Sequence, residues 1–132
     1  MPMSALEKLQ TWLSSYPGWE ACPAKICLLP KETKEISRRE DVLGNTRVGL
    51  RSYVNLFWEM ERQGSEAENA CLLSDFQNWV RQQNALRLAP VFGDIPGYER
   101  VWTEKGGLTA GTQIVTYTIM LVAEFMKVYE AS

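Results

Sequence analysis

The clearest pattern in the chain is an alternation of apolar and polar side chains between residues 47 and 60. Every second residue in this segment is apolar, interrupted by Ser52, and the intervening positions are mostly polar. A period of two predicts a β-strand with one face on a core and the other face turned away from it. The apolar positions are Val48, Leu50, Val54, Leu56, Trp58 and Met60.

Residues 113–129 predict a second long strand, which is apolar on both faces. Strands in globular domains usually have about 5–6 residues, and apolar side chains on both faces need cover on both sides. If Val115, Tyr117, Ile119 and Leu121 face the helices, the opposite face carries Thr116, Thr118, Met120, Val122 and Met126. A small domain can hardly cover both faces by itself, so this segment indicates a protein that assembles.

Two capping boxes predict two helices. A glutamate follows three residues after Ser4 and again after Ser65, so that each pair can satisfy unpaired backbone N–H groups at a helix start. The first helix is expected to stop at Pro17, and the second to run to about Ala85. Its expected inner stripe is Ala67, Cys71, Leu72, Phe76, Trp79, Val80 and Gln83, and that of the first helix is Leu6, Leu9, Leu13 and Tyr16, with Trp12 at the edge.

The remaining segments predict three further strands. Residues 25–29 are an apolar run between prolines and predict a buried strand, and residues 31–38 predict an exposed partner strand. Residues 98–103 predict a short strand that ends at a Gly106–Gly107 turn. The predicted fold is therefore α+β, in the order α-β-β-β-α-β-β, with a mainly antiparallel sheet of four to five strands and both helices packed on one face.

Composition limits the function classes. The chain has 132 residues, 45% hydrophobic and 23% charged, with a net charge of −2, which predicts one globular domain over residues 1–132. It lacks the basic stripe of a nucleic-acid binder, and none of its apolar runs reaches the roughly 18–20 residues of a membrane span. The start, Met-Pro-Met-Ser, lacks the order of a signal peptide, so we expect the protein to be made and kept in the cytosol.

The sequence predicts no enzyme and no cofactor or metal. It contains no histidine, the commonest general base and metal ligand. Glu59 and Glu61 share one strand face about 7 Å apart, but a solvated strand end explains them better than catalysis. Buried reduced thiols are the favoured interpretation of Cys22, Cys27 and Cys71, over a disulfide or a zinc site.

The sides of the two long strands that face away from the predicted core are the candidate interface. Their mixture of aromatic, methionine, arginine and threonine side chains is typical of subunit interfaces, although a solvated sheet face is the alternative. Core packing explains Trp12, Trp58 and Trp79, while Trp19 and Trp102 are left as surface or interface residues. The candidate interface residues are Arg51, Tyr53, Phe57, Thr118, Met120, Val122 and Met126.

The order and spacing of several segments carry a family resemblance over most of the chain. They are the opening Leu6-Glu7-Lys8-Leu9-x-x-Trp12-Leu13, the strand around Arg51 to Trp58, Phe76-x-x-Trp79-Val80-x-x-Gln83, Leu88-Ala89-Pro90, and a closing strand from Gln113-Ile114 that contains Tyr117. In this order they resemble the small minor tail proteins of long-tailed bacteriophages and prophages, in particular the tail terminator, or tail-completion, group.

The resemblance implies an α+β subunit that closes into a ring, typically a hexamer, on the end of the tail tube. Its implied partners are further copies of itself, the tail tube protein and the head–tail connector, in a virion tail assembled in the host bacterial cytoplasm. The free subunit can be monomeric, because a weak contact becomes strong when several close a ring. The charged segment 30–46 does not fit the pattern, and if mobile it is a candidate to order on binding.

Two alternatives remain open from the sequence. The chain could be another phage component of similar size, such as a connector or tube-associated protein, which would share the assembly physics. It could also be a small cytosolic enzyme or ligand-binding domain that uses the sheet face as a pocket. The oligomeric state separates the assembly proteins from the ligand-binding domain.

Overall fold

A four-stranded antiparallel sheet with two helices on one face is the framework of the described chain. The computed structural model describes residues 5–18, 25–62, 64–88, 90, 93–95 and 97–131. The elements are α1 (Ala5–Leu13), β1 (Lys25–Glu40), β2 (Thr46–Glu61), α2 (Glu66–Ala85), β3 (Arg100–Ala110) and β4 (Ile114–Tyr129). This arrangement confirms the predicted α+β class and the terminal strand, and it gives the order α-β-β-α-β-β.

The two long strands lie at the centre of the sheet. The strand order is β1-β2-β4-β3, so β1 and β3 are the edges. Strands β2 and β4 are both 16 residues long and pair without a bulge from Thr46 opposite Tyr129 to Glu61 opposite Ile114. The core positions of β2 from Leu50 to Met60 are therefore each fixed opposite a residue of β4 that faces the same side of the sheet.

The helix side of the sheet holds the core, as the alternation predicts. Trp58 and Tyr117 pair across β2 and β4, and their rings stack at 4.6 Å between centroids. Phe76 of α2 lies 5.0 Å from the Trp58 ring. The Tyr117 hydroxyl donates a hydrogen bond of 2.8 Å to the backbone oxygen of Asn69. Sheet and helix are thus joined by a buried aromatic cluster in which the Tyr117 hydroxyl is hydrogen-bonded.

Aromatic contacts also join the two helices. The Trp12 ring of α1 stacks on Trp79 of α2 at 4.9 Å, and its indole N–H donates to Gln83 at 3.0 Å. Tyr16 meets Phe76 edge to face at 5.3 Å. Trp12 and Trp58 are buried, whereas Trp79 is half-buried. Core packing is therefore confirmed for the first two, and Trp79 occupies the border of the core.

Helix α2 begins at the predicted cap and lies over the edge strand β3. The Ser65 hydroxyl accepts from the backbone N–H of Glu68 at 3.3 Å. Near the other end, the Asn84 side-chain oxygen accepts from the backbone N–H of Val101 at 3.1 Å. Strand and helix approach closely at Gly106, where an added Cβ would lie 2.6 Å from the Gln77 side-chain nitrogen and would displace that side chain.

The predicted turn at Gly106–Gly107 is wrong. Both glycines lie inside β3, which continues to Ala110, and the β3–β4 connection is at residues 111–113. Lys105, with a φ of 43°, is the extra residue of a bulge between Glu104 and Gly106. A bulge followed by a glycine therefore gives the same local sequence signal as a turn.

The separate strands predicted at 25–29 and 31–38 are one continuous edge strand, β1. Bulges at Lys31 and Ile36 keep it paired with β2 over its 16 residues. An edge strand tolerates Pro30 because one side of its backbone needs no ladder hydrogen bond. Most of β1 is exposed, with Leu28 buried, so the prediction of a buried strand at 25–29 is also wrong. The segment 30–46 is a strand and a tight turn in the free chain rather than a mobile loop.

The predicted burial of the cysteines is wrong where the structure describes them. Cys27 and Cys71 are exposed free thiols. At about 100° per residue, Cys71 lies roughly 140° around α2 from the buried Phe76, and Ala67 roughly 180°. Both therefore point away from the sheet. Cys22, Trp19 and the Ser4 cap lie outside the described residues.

Candidate assembly surface

The pairing of β2 with β4 brings all the predicted interface residues onto one side of the sheet. Tyr53 lies opposite Val122, and Phe57 lies opposite Thr118. These pairs alternate with Trp58 and its partner, which face the helices, so they point to the opposite side. We call this side the open face. Its predicted members are Arg51, Tyr53, Phe57, Thr118, Met120, Val122 and Met126.

These residues differ in how far they reach solvent. Val122 has an exposed fraction of 0%, so its neighbours on the open face cover it completely within one copy. Phe57, Met120 and Met126 are half-buried, and Thr118 is exposed. The open face is thus a continuous surface of partly exposed apolar side chains around a buried valine.

Trp102 of β3 completes the centre of the open face. It lies opposite Val122, which places it in one row with Tyr53 across three strands. The guanidinium groups of Arg51 and Arg100 lie 5.3 and 5.7 Å from the centroid of its ring. From the sequence, Trp102 was either a surface or an interface residue. The pairing of β3 with β4 places it on the open face.

Arg51 is held in one orientation by several contacts. Its Nη2 lies 2.8 Å from the carboxylate of Glu124, the residue opposite it on β4. The hydrogen bond with Glu124, and a smaller contribution from Tyr53, raise the pKa of the Arg51 guanidinium above its ordinary value. A charged side chain fixed in this way loses little further conformational entropy when a partner contacts it.

Strand β1 extends the open face by residues that the sequence analysis missed. Cys27 lies opposite Phe57, and Leu29, which is 51% exposed, lies opposite Asn55. The Lys34 ammonium lies 5.3 Å from the Tyr53 ring centroid. The alternation of residues 47–60 shows which β2 residues lie on the open face. The β1 residues beside them can be identified once the register of β1 against β2 is known.

Charge on the open face is divided along the strands. The basic residues at the end near the β1–β2 turn are Lys34, Arg39, Arg47, Arg51 and Arg100, by their register. The acidic residues toward the opposite end are Glu59, Glu61 and Glu104. Single opposite charges interrupt both groups, since Lys25 lies opposite Glu59 and Glu124 lies opposite Arg51, and Glu32 lies beside the centre opposite Tyr53. The two ends therefore differ in net charge, an arrangement that can fix the orientation of a charged partner.

A cavity of about 760 Å³ at the acidic end is lined by Lys25, Glu59, Glu61 and Arg62, among others. Glu59 and Glu61 are exposed there. Among the described residues, no group of three or more histidine, cysteine, aspartate or glutamate side chains could hold a metal ion. In the same residues, no helix is long and apolar enough to cross a membrane.

No protein-family model, curated protein or solved structure matches the chain. The geometry of the open face therefore carries the functional interpretation.

Proposed function

We propose that this chain is a structural subunit that assembles with copies of itself through the open face. Within that class, we propose a ring-forming minor tail protein that terminates a phage tail tube and joins it to the head connector. The observation that supports assembly is the continuous apolar and aromatic surface across all four strands, on the side of the sheet away from the helices.

The chemistry of this surface suits a protein partner. Its centre combines Tyr53, Phe57, Trp102 and Met120 with an oriented arginine, Arg51. Aromatic residues, methionine and arginine are enriched at protein interfaces, whereas lysine and glutamate are depleted from their centres. Soluble monomers rarely expose contiguous apolar patches larger than a few hundred Å². Cover by another copy would remove this surface from water.

The tail role rests on the resemblance, with which the α+β class of the fold is compatible. The long paired strands and the two helices on one face agree with the expected α+β subunit. A closed ring, expected to be a hexamer, requires a contact between two different surfaces of neighbouring copies. The tail tube protein and the connector are the proposed further partners, without sequence-specific nucleic-acid binding.

Glutamate substitutions at the centre of the open face test the proposal. We expect Phe57→Glu and Met120→Glu to leave the free subunit folded but to block assembly, because a carboxylate would have to be buried in the contact. Leu88→Glu is the matched control, since Leu88 is 57% exposed and lies outside the sheet. Light scattering over a wide range of protein and salt concentrations gives the mass, and electron microscopy after mixing with the phage's tail tube protein shows rings or capped tube ends.

The outcomes separate the two levels of the proposal. Assembly of Phe57→Glu to the same extent as the wild type would exclude the open face as the contact. Unfolding of Phe57→Glu, detected by circular dichroism, would mean that this half-buried ring stabilises the subunit itself, and Met120→Glu would then carry the test. A wild-type chain that neither self-associates nor caps tubes would contradict the tail role and leave a ligand-binding sheet face to examine.

A further inference from the structure

The turn between β1 and β2 presents two apolar side chains to solvent. Val42 is 102% and Leu43 77% exposed, and we call these two residues the apolar tip. The turn that carries them is well ordered by Asp41, whose Oδ1 accepts from the backbone N–H groups of Leu43 at 2.9 Å and Asn45 at 3.0 Å. Gly44, at a φ of 85°, donates its N–H to the Asp41 backbone oxygen at 3.1 Å. The apolar tip is therefore a preformed projection.

A cleft of about 340 Å³ lies between α1 and the strands of the same hairpin. At about 30 Å³ per water molecule, this is the volume of roughly eleven waters, enough for the side chains of one valine and one leucine. Most of its wall is apolar. The residues that define it are Leu6, Leu9, Pro30, Thr33, Val54 and Ala123.

The apolar tip cannot reach the cleft of its own chain. Val54, on the cleft wall, lies eight residues along β2 from Thr46, where the strand begins, and this corresponds to roughly 27 Å of extended chain. Strands β1 and β2 are paired over that whole distance, from Glu40 opposite Thr46 onward. The hairpin cannot fold back without losing these hydrogen bonds. If an apolar tip occupies the cleft, it is therefore the tip of another copy.

We infer that the apolar tip of one copy inserts into the α1–hairpin cleft of the next copy. The inference rests on the proposed self-assembly and deepens it by naming a contact outside the open face. Its two sides are different surfaces, so in a pair the copy that gives its tip keeps an unused cleft, and the other copy keeps an unused tip. A contact of this kind propagates from copy to copy and closes into a ring when the rotation between neighbours permits.

The charges beside the two surfaces agree with this pairing. Lys31, the exposed extra residue of the first β1 bulge, lies on the cleft wall. Glu32 lies there too, but the Lys34 ammonium is 3.5 Å from its carboxylate and offsets its charge. The apolar tip follows directly after Glu40 and Asp41 in the sequence, and Glu40 is exposed. Insertion of the tip would bring these carboxylates toward the Lys31 ammonium. Opposite charges at the rim of a contact favour one orientation of docking.

Disulfide trapping tests the contact even when it is weak in solution. In a full-length chain with Cys22, Cys27 and Cys71 replaced by serine, Leu43→Cys is combined with Thr33→Cys. Under mild oxidation at high protein concentration, we expect a ladder of dimers, trimers and larger species that ends at the ring size. Leu43→Cys alone is expected to stop at dimers. Leu88→Cys with Thr33→Cys, which places the first thiol on an exposed leucine far from the tip in sequence, is the matched control.

A double variant that gives no more than the dimers of Leu43→Cys alone would overturn the inference. Leu43→Asp provides an independent measurement, since it should lower the assembled fraction at least tenfold while Leu88→Asp leaves it unchanged. If Leu43→Asp assembles like the wild type while Phe57→Glu does not, the tip contact is wrong and self-assembly through the open face stands. If the wild type never assembles and no ladder forms, both proposals fail.

Discussion

Removal of the Phe76 ring tests whether the aromatic cluster holds α2 on the sheet. Phe76 has an exposed fraction of 0%, and its ring centroid lies 5.0 Å from Trp58, 5.3 Å from Tyr16 and 6.0 Å from Trp79. Truncation of a buried phenylalanine to alanine costs about 3–5 kcal/mol. Three aromatic neighbours, each pair worth about 0.5–1.5 kcal/mol beyond area burial, place Phe76→Ala in the upper part of that range.

Urea denaturation followed by tryptophan fluorescence and circular dichroism measures this loss. With an m value of about 2 kcal/mol/M, a loss of 4 kcal/mol lowers the midpoint by about 2 M. Tyr98→Ala is the control, because Tyr98 is 55% exposed and its truncation should change the free energy of unfolding by no more than about 0.5 kcal/mol. A loss below about 1.5 kcal/mol for Phe76→Ala, at an unchanged m value, would refute the packing of α2 against Trp58.

Two further substitutions test single contacts. Tyr117→Phe removes the buried hydrogen bond to the Asn69 backbone oxygen, and we expect the free energy of unfolding in urea to fall by about 1–2 kcal/mol; an unchanged value would mean that this oxygen has another donor. Gly44→Ala forces a side chain onto a φ of 85° and within 3.3 Å of Ala131, so thermal unfolding should show a loss of about 1 kcal/mol or more. Gly107→Ala, where the added carbon meets no atom within 4 Å, should cost little in the same assay, and equal losses for the two glycines would contradict the strain argument.

The two central strands could be predicted because burial imposes a period on their sequence. The apolar positions of β2 from Val48 to Met60 face the helix side, and those of β4 from Val115 to Leu121 pair with them. A one-residue slip would turn every apolar side chain to the wrong face, so the alternation specifies the faces of both strands. The seven interface positions followed from this parity.

The edge strands were harder to predict because much of their surface meets solvent. Beyond Leu28, β1 is almost wholly exposed and carries no hydrophobic period, and Pro30 resembles a strand boundary. In β3, the bulge at Lys105 and the glycines after it resemble a turn. The position of Trp102 on the open face could not be predicted. It depends on the pairing of β3 with β4, and the residues around Trp102 do not show which β4 residue lies opposite it.

The strand order has a consequence for how the chain folds. Strand β4 lies between β2 and β3, although both precede it in the sequence. Its pairs with β2 are separated by 53 positions (Glu61 opposite Ile114) to 83 positions (Thr46 opposite Tyr129), so every β2–β4 contact is distant along the chain. Contacts of high sequence separation slow folding, because the loop must close before the contact forms. Until β4 is synthesised, the inner edge of β2 has no strand partner, which is a state prone to aggregation. We therefore expect refolding to be limited by the insertion of β4, and substitutions in β4 to slow refolding more than substitutions in β1.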